Sequence, residues 1–551
     1  MHLRNLLGFS LSLLIVAMGQ PARWGWVGGV TGILGFAIFF VSLSDSLSKR
    51  NRFWLASLWF ALVQLIQLSW MSSMEFQGSY ILFVYGLLCV GLGSQFGLLT
   101  LFIPASGSIR TLNLLAAASF WTLMEWLRLF VLCGFSWTPV GLALSHSTYS
   151  LQFISIFGIF GLSFWVMLTN LSGLKAWRER KLRNVALWLL LAAVPYLFGA
   201  AHLAYHLPKS ERHQEKIQTA LIQTDLLPSE KMRYPGRTHE YVSPVAQWNW
   251  VVRELKEKIS TPLDMIVLPE AAVAHSADKA LYPFETVRDV LTSAFGVEVR
   301  DHFPAFAFPY AEEKNIRGNK KLYVSNLFWC QTIANYFKTD VVVGLDHTDR
   351  LSQKNYNSAF YLQSQGAAVL RYDKRALLPF AEYLPFRFLS FLSENYGIVE
   401  FFTPGIDTKV FLSKKSFCPS ICYEETFPSL MREGKMRGAD MFINVTNDNY
   451  FPDSHLHAQH LSHAKLRAVE NGIPLIRSCN SGVSAAIDSF GRVLAKMAED
   501  CKGVLSCSVS TYTFSTLYSF WGDSCIVGCS LVFLALFWAR NKKYFLNSLR
   551  A

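Results

Sequence analysis

The sequence predicts a polytopic α-helical membrane domain joined to a water-exposed α/β domain. Three observations predict this division. Seven apolar runs of near-membrane length fill residues 1–206, a polar stretch with alternating β-type and helical runs fills residues 207–516, and one more apolar run lies within residues 517–551. Composition agrees. In 551 residues, 52% are hydrophobic and 15% aromatic, with a mean hydropathy of +0.26. That is too apolar for an ordinary soluble chain and too mild for a pure membrane bundle. A soluble hydrolase has no use for such a membrane body, so the order of parts points to chemistry on a lipid-borne substrate.

The apolar runs are residues 6–18, 24–43, 53–70, 80–103, 112–132, 151–171, 185–204 and 517–539. Most approach the ~20 residues a bilayer requires. The first is short, but no small-residue cleavage site follows it, so it is expected to stay as a helix. Basic residues cluster in every second connection: Lys49, Arg50 and Arg52; Arg110; Lys175, Arg178, Arg180, Lys181 and Arg183; Arg540, Lys542 and Lys543. Residues 71–79 and 133–150 contain no Lys or Arg. This positive-inside pattern predicts eight crossings, both termini in the cytoplasm, and the polar domain on the periplasmic face if the cell is Gram-negative. The same placement accounts for the net charge of +12 without nucleic acid.

Within 207–516 the strand-type runs are 217–223, 265–268, 341–343, 359–362, 367–372 and 441–445, with shorter ones at 475–477, 484–487 and 493–496. Turn residues at 363–366 and 488–491 predict hairpins. Residues 460–470 are helical in character, ended by Gly472 and Pro474. The stretch 278–340 reads as an irregular insertion or mobile lid. The ten cysteines form no regular framework. Pairing of Cys501 with Cys507 is left open.

Three residues carry candidate chemistry. Glu270 follows a strand and Pro269, a position suited to a general base. Lys374 follows another strand beside an apolar, proline-rich segment that would desolvate it. Cys422 ends a third strand, with a helix expected from Glu424 or Glu425, whose amino end would favour a thiolate. Activation is needed, because a thiol of pKa ~8.5 is only ~3% ionised at pH 7. Cys418 precedes rather than ends the strand and is the weaker nucleophile candidate. Glu125 and Arg128, one helical turn apart in an apolar run, are read either as an internal pair or as a head-group contact. His455, His457, His460 and His463 fit no standard zinc spacing, so no metal is expected.

Leu268-Pro269-Glu270, Tyr372-Asp373-Lys374 and Cys422-Tyr423-Glu424 resemble, in order, the Glu–Lys–Cys signature of the nitrilase (carbon–nitrogen hydrolase) superfamily. The run from Leu377 to Pro385, the Asn447–Phe451 stretch, Glu125-Trp126-Leu127-Arg128, Gly134-Phe135-Ser136-Trp137 and Arg467–Gly472 narrow the resemblance to the bacterial apolipoprotein N-acyltransferases. The resemblance implies a nitrilase-like αββα sandwich. It also implies acyl transfer from a phospholipid, through a thioester on Cys422, to the α-amine of a diacylglyceryl-cysteine on an apolipoprotein. Glu270 would be the base, and Lys374 with a backbone N–H near Tyr423 the oxyanion holder. Glu382 would support lysine or base, and Tyr423 and Glu424 would shape the pocket. Asn447, Tyr450 and Phe451 are substrate-binding candidates, and Phe380, Phe386, Phe388, Tyr450 and Phe451 would form an apolar lid. No cofactor is implied. A monomer in the bacterial inner membrane is expected. Departures from the family pattern fall at Met232, at Ala381, at 449–452 and in the 278–340 stretch, outside the three signature residues. A membrane-tethered nitrilase-type amidase is the alternative. A non-catalytic scaffold fits an intact signature poorly.

Overall fold

The computed structural model describes residues 3–19, 25–43, 47–132, 134–234, 236–366, 368–379, 381–384, 401–452 and 454–549. Cys133, Phe380, Phe386 and Phe388 lie outside the described residues. The chain forms two compact units: residues 1–211, 453–472 and 514–551 make one, and residues 212–452 and 473–513 the other.

The first unit is helical. Every apolar run becomes helix, because a long run of apolar residues can satisfy its backbone polar groups in lipid only internally. Five segments are long and apolar enough to cross a membrane: Gly25–Ser42, Tyr80–Phe102, Ile154–Glu179, Leu182–Arg212 and Ser524–Asn541. The runs at 6–18, 53–70 and 112–132 become the helices Leu3–Met18, Lys49–Gln67 and Thr111–Leu127, outside that set. Its interior is strongly aromatic: Phe60 stacks on Phe96 with ring centroids 4.9 Å apart, and Trp121 meets Phe60 edge-on at 5.2 Å.

One helix expected within 207–516 groups instead with this unit. Leu456–Asn471 ends at Gly472, whose φ of +62° closes the helix. Its Gln459 accepts from the indole N–H of Trp70 at 3.2 Å and of Trp137 at 2.6 Å. Glu470 accepts from the Ile159 backbone N–H at 2.8 Å. Sequence position alone does not show such partners.

The second unit holds the strands β1 (Lys216–Gln223), β2 (Met265–Val267), β3 (Tyr282–Pro283), β4 (Ala311–Ile316), β5 (Asn319–Val324), β6 (Asp340–Thr348), β7 (Asn355–Leu362), β8 (Leu370–Asp373), β9 (Phe411–Leu412), β10 (Ser416–Ile421), β11 (Met441–Thr446), β12 (Leu475–Cys479), β13 (Ala485–Ile487), β14 (Val493–Lys496) and β15 (Gly503–Ser510). Twelve of them form two six-stranded sheets, ordered β15-β1-β2-β6-β7-β8 and β14-β13-β12-β11-β10-β9, and the other three form a small sheet of order β3-β5-β4. The centre of each six-stranded sheet is parallel and its edges antiparallel. The sheets share one apolar core, with Leu221, Val267, Val342 and Tyr361 from the first meeting Phe417, Ile421, Ile443 and Ile476 from the second. The outer face of the first sheet is covered by the helices Pro244–Lys258, Phe284–Phe295 and Asn326–Phe337, with Trp248 stacked on Trp329 at 5.7 Å.

The stretch 278–340 is therefore neither irregular nor a lid. It supplies two helices and the β4–β5 hairpin, and Leu291, Phe295 and Phe328 are buried in the core. Its charged hairpin residues hid this order, because only one face of each element is apolar. Cys501 and Cys507 are both free thiols.

Candidate active site

Glu270 and Cys422 stand on loops after parallel strands at the sheet centres, and Lys374 stands after the antiparallel edge strand β8. Glu270 follows β2, and its backbone is pressed against β6. The Gly344 N–H donates to Pro269 at 3.1 Å, and the Ala272 N–H donates back to Gly344 at 2.9 Å. A Cβ on Gly344 would lie 2.5 Å from the Glu270 Cα, so only glycine permits this approach. Lys374 follows β8, with its N–H donating to Asn357 of β7 at 2.8 Å. Cys422 follows β10 with a φ of +51°, a left-handed conformation that a non-glycine residue adopts at a cost.

Side chains converge around Lys374. Its ammonium donates to Glu382 Oε1 at 2.9 Å and to Glu270 Oε1 at 3.3 Å. Asn357 Nδ2 bridges the same two oxygens, at 2.6 Å to Glu270 and 3.0 Å to Glu382. Lys374 is 2% exposed, Glu270 6% and Glu382 9%, so water does little to screen the charges. Two carboxylates share one cation in this dry place. Burial holds the Glu270 carboxyl above the usual range; Lys374 pulls it down and Glu382 pushes it up again. Burial opposes the charge on Lys374, yet Glu270, Glu382 and the nearby Cys422 hold it protonated, well above an ordinary lysine.

The thiol differs from the sequence expectation. Burial and Glu270 push Cys422 well above the ordinary thiol range, outweighing the pull of Lys374. The residues after it form a short 3₁₀ turn, Cys422–Thr426, and the helix begins only at Pro428. The expected helix amino end at Glu424 or Glu425 is absent, because Pro428 occupies the first helical turn. Burial thus favours the neutral form of the Cys422 thiol, which lies within electrostatic range of a Glu270 carboxyl whose proton affinity burial also raises.

Glu424 ties the neighbouring loops together. It is fully buried and works as a latch: its Oε2 accepts from the Ile421 N–H at 2.8 Å, and its Oε1 accepts from the Arg375 N–H at 2.6 Å and the Tyr372 hydroxyl at 2.9 Å. It joins the residue before Cys422 to the residue after Lys374. Tyr423 is buried, with its ring edge-on to Phe427 at 5.0 Å. Asn447 Oδ1 accepts from Asn480 at 2.9 Å, and Asn449 Nδ2 donates to Leu226 at 2.6 Å, so the 447–451 loop is pinned to the turn after β1. Phe451 is buried there, while Tyr450 is 37% exposed and within electrostatic range of Glu270 and Glu382.

Glu125 and Arg128 belong to the helical unit and pair internally at 3.5 Å. Glu125 Oε1 also accepts from the Trp121 indole and the Val140 N–H, each at 2.8 Å. His457, His460 and His463 are buried on their helix, and His463 Nε2 lies 3.0 Å from the Trp137 carbonyl. Among the described residues no three His, Cys, Asp or Glu side chains are grouped to hold a metal. Cys418 is fully buried inside β10, its thiol pushed up to about 12 by burial and by Glu424.

Sequence reasoning missed Asn357 and Gly344. Asn357 lies on the same face of β7 as Ala359 and Tyr361, which enter the shared core, but an Asn in a short Asn-Tyr-Asn-Ser run reads as loop. Gly344 carried no signal beyond being a glycine within a strand.

Comparison with known proteins agrees with this architecture. Residues 241–535 match the carbon-nitrogen hydrolase family, and residues 11–172 match the apolipoprotein N-acyltransferase N-terminal domain. The chain is 30% identical to an apolipoprotein N-acyltransferase of Chlamydia caviae over 96% of both chains. It is 30% identical to one of Chlamydia trachomatis over 97% of both, and 29% identical to one of Brucella melitensis over 74% of this chain and 69% of the other. A solved CN-hydrolase superfamily protein from Xanthomonas campestris, 18% identical, covers 54% of this chain and 91% of its own at a TM-score of 0.35. The chain belongs to the apolipoprotein N-acyltransferase family, whose acyltransferase domain is of the carbon–nitrogen hydrolase type.

Proposed function

We propose that this enzyme moves an acyl chain from a phospholipid to the α-amine of the N-terminal diacylglyceryl-cysteine of apolipoproteins. Family membership supports the reaction class. The observation that carries the residue roles is the buried Glu270–Lys374–Glu382 cluster within electrostatic reach of the Cys422 thiol.

Cys422 Sγ attacks the ester carbonyl of the donor while Glu270 takes its proton. The tetrahedral oxyanion is stabilised by the Lys374 ammonium and a backbone N–H near Tyr423. Collapse expels the lysophospholipid alkoxide, which takes the proton back from Glu270, and leaves a thioester. The acceptor amine then attacks the thioester carbonyl and loses a proton to Glu270, and the Cys422 thiolate leaves and is reprotonated. Glu382 and Asn357 hold Lys374 and Glu270 in register, and Glu424 locks the two loops together. Tyr450 and Phe451 are the lipid-facing candidates of the mouth, with Asn447 fixing their loop. Glu125 and Arg128 are assigned to holding the membrane unit together.

We place the protein as a monomer with eight crossings in the bacterial inner membrane and the α/β unit on the periplasmic face. The contrast between the Lys- and Arg-rich connections and the stretches 71–79 and 133–150, which contain neither, supports this orientation. A protein charged with acyl from phospholipid and then given a diacylated lipopeptide tests the reaction. Label moving to the peptide amine supports the transferase, while release as free fatty acid would make the protein an amidase-like hydrolase.

A further inference from the structure

Lys231 is a buried ammonium that no step above uses. It ends the short helix Pro228–Lys231 on the turn after β1 and is 6% exposed. Its Nζ donates to the carbonyl of Ala271 at 2.7 Å, across a 40-residue separation. Ala271 directly follows Glu270 and holds a φ of +45°, the left-handed region that disfavours a side chain. The other side of this turn is fixed by Gly344, through the hydrogen bonds to Pro269 and Ala272. Glu270 is thus gripped from two directions, by a strand that leaves no room for a Cβ and by a lysine arriving from the opposite side in sequence.

We propose that Lys231 is a positioning residue for the reaction, holding the strained Glu270–Ala271 turn so that the carboxylate keeps its place against Lys374 and Cys422. This rests on the reading of Glu270 as the base. The charge environment fits the role. Burial drives the Lys231 ammonium down to about 7, and Glu270 and Asp346 are the largest opposing influences, so the cation and the base carboxylate favour each other's charged forms. A lysine whose charge did not reach Glu270 would leave the proton affinity of that carboxyl untouched.

The test uses the full chain in phospholipid nanodiscs, with thioester formation followed by intact mass across pH. Lys231→Met should slow acylation at saturating donor by about 100-fold, as for a misplaced catalytic group, with donor KM nearly unchanged. Its acid limb should move to higher pH, because a cation that favoured ionised Glu270 is gone. Lys231→Arg, which keeps a donor and a charge, should restore the rate to within about tenfold of wild type and return the limb. The proposal is overturned if Lys231→Met keeps the wild-type rate and limb. It is equally overturned if the loss only tracks the unfolded fraction while the surviving enzyme shows the wild-type limb. A wild-type protein that gains no acyl group on Cys422 overturns the reading beneath it as well, whatever Lys231 does.

Discussion

Two buried ion clusters, one in each unit, are built on opposite plans. In the helical unit Glu125 faces a single cation, Arg128, and also accepts from an indole and a backbone N–H. All three contacts fall on its Oε1. In the α/β unit Glu270 and Glu382 share Lys374 and Asn357 between them. There one carboxylate too many is held out of water. A one-to-one pair with added donors holds helices together. Two carboxylates on one ammonium store proton affinity, as the proposed base requires if its target is the partly buried Cys422 thiol.

This contrast can be broken at several points. Glu270→Gln keeps shape and removes the base; thioester formation in a single-turnover assay should fall by about 10²–10⁴-fold. Gly344→Ala changes no catalytic residue but pushes the Glu270 backbone away from β6, and about a 100-fold loss is expected in the same assay. A wild-type rate in that variant would show that the close backbone approach is irrelevant. Glu382→Gln removes the surplus charge. Glu270 is active when ionised and is held above the ordinary carboxylate range, so acylation rises as pH rises through its raised pKa. Without Glu382 that limb should shift to lower pH, with a rate loss smaller than for Glu270→Gln. Glu125→Ala should show the other plan: unfolding measured by denaturant should lose about 3–5 kcal/mol, because Arg128 is left buried and uncompensated, while the acid limb stays where it was. A shifted limb there would dissolve the distinction between the two clusters.

The sequence made the apolar runs and the strand ends readable because both depend on local periodicity. The strands at Val341–Val343 and Met441–Val445 are mostly apolar and buried throughout, as expected of strands covered on both faces. Strand β15 went unread because Ser and Cys alternate where apolar residues usually do, and the β4–β5 hairpin because it is charged. The helix Leu456–Asn471 was legible, but its grouping with the helical unit depends on Trp70, Trp137 and Ile159, several hundred residues away. Around the site, Asn357, Gly344 and Lys231 act through distance-dependent contacts that leave no local signature. The direction of the Cys422 shift was misread for a related reason: a nearby lysine can be seen in a motif, but the cost of burial cannot.

The central claim is that the sulfur of Cys422, deprotonated by Glu270, carries the acyl group. Peptide mapping of the enzyme after incubation with phospholipid tests this most directly. The account predicts one acyl mass on Cys422 that is labile to hydroxylamine, and none in Cys422→Ala. An acyl group on Cys418, or acyl transfer that survives in Cys422→Ala, would contradict it.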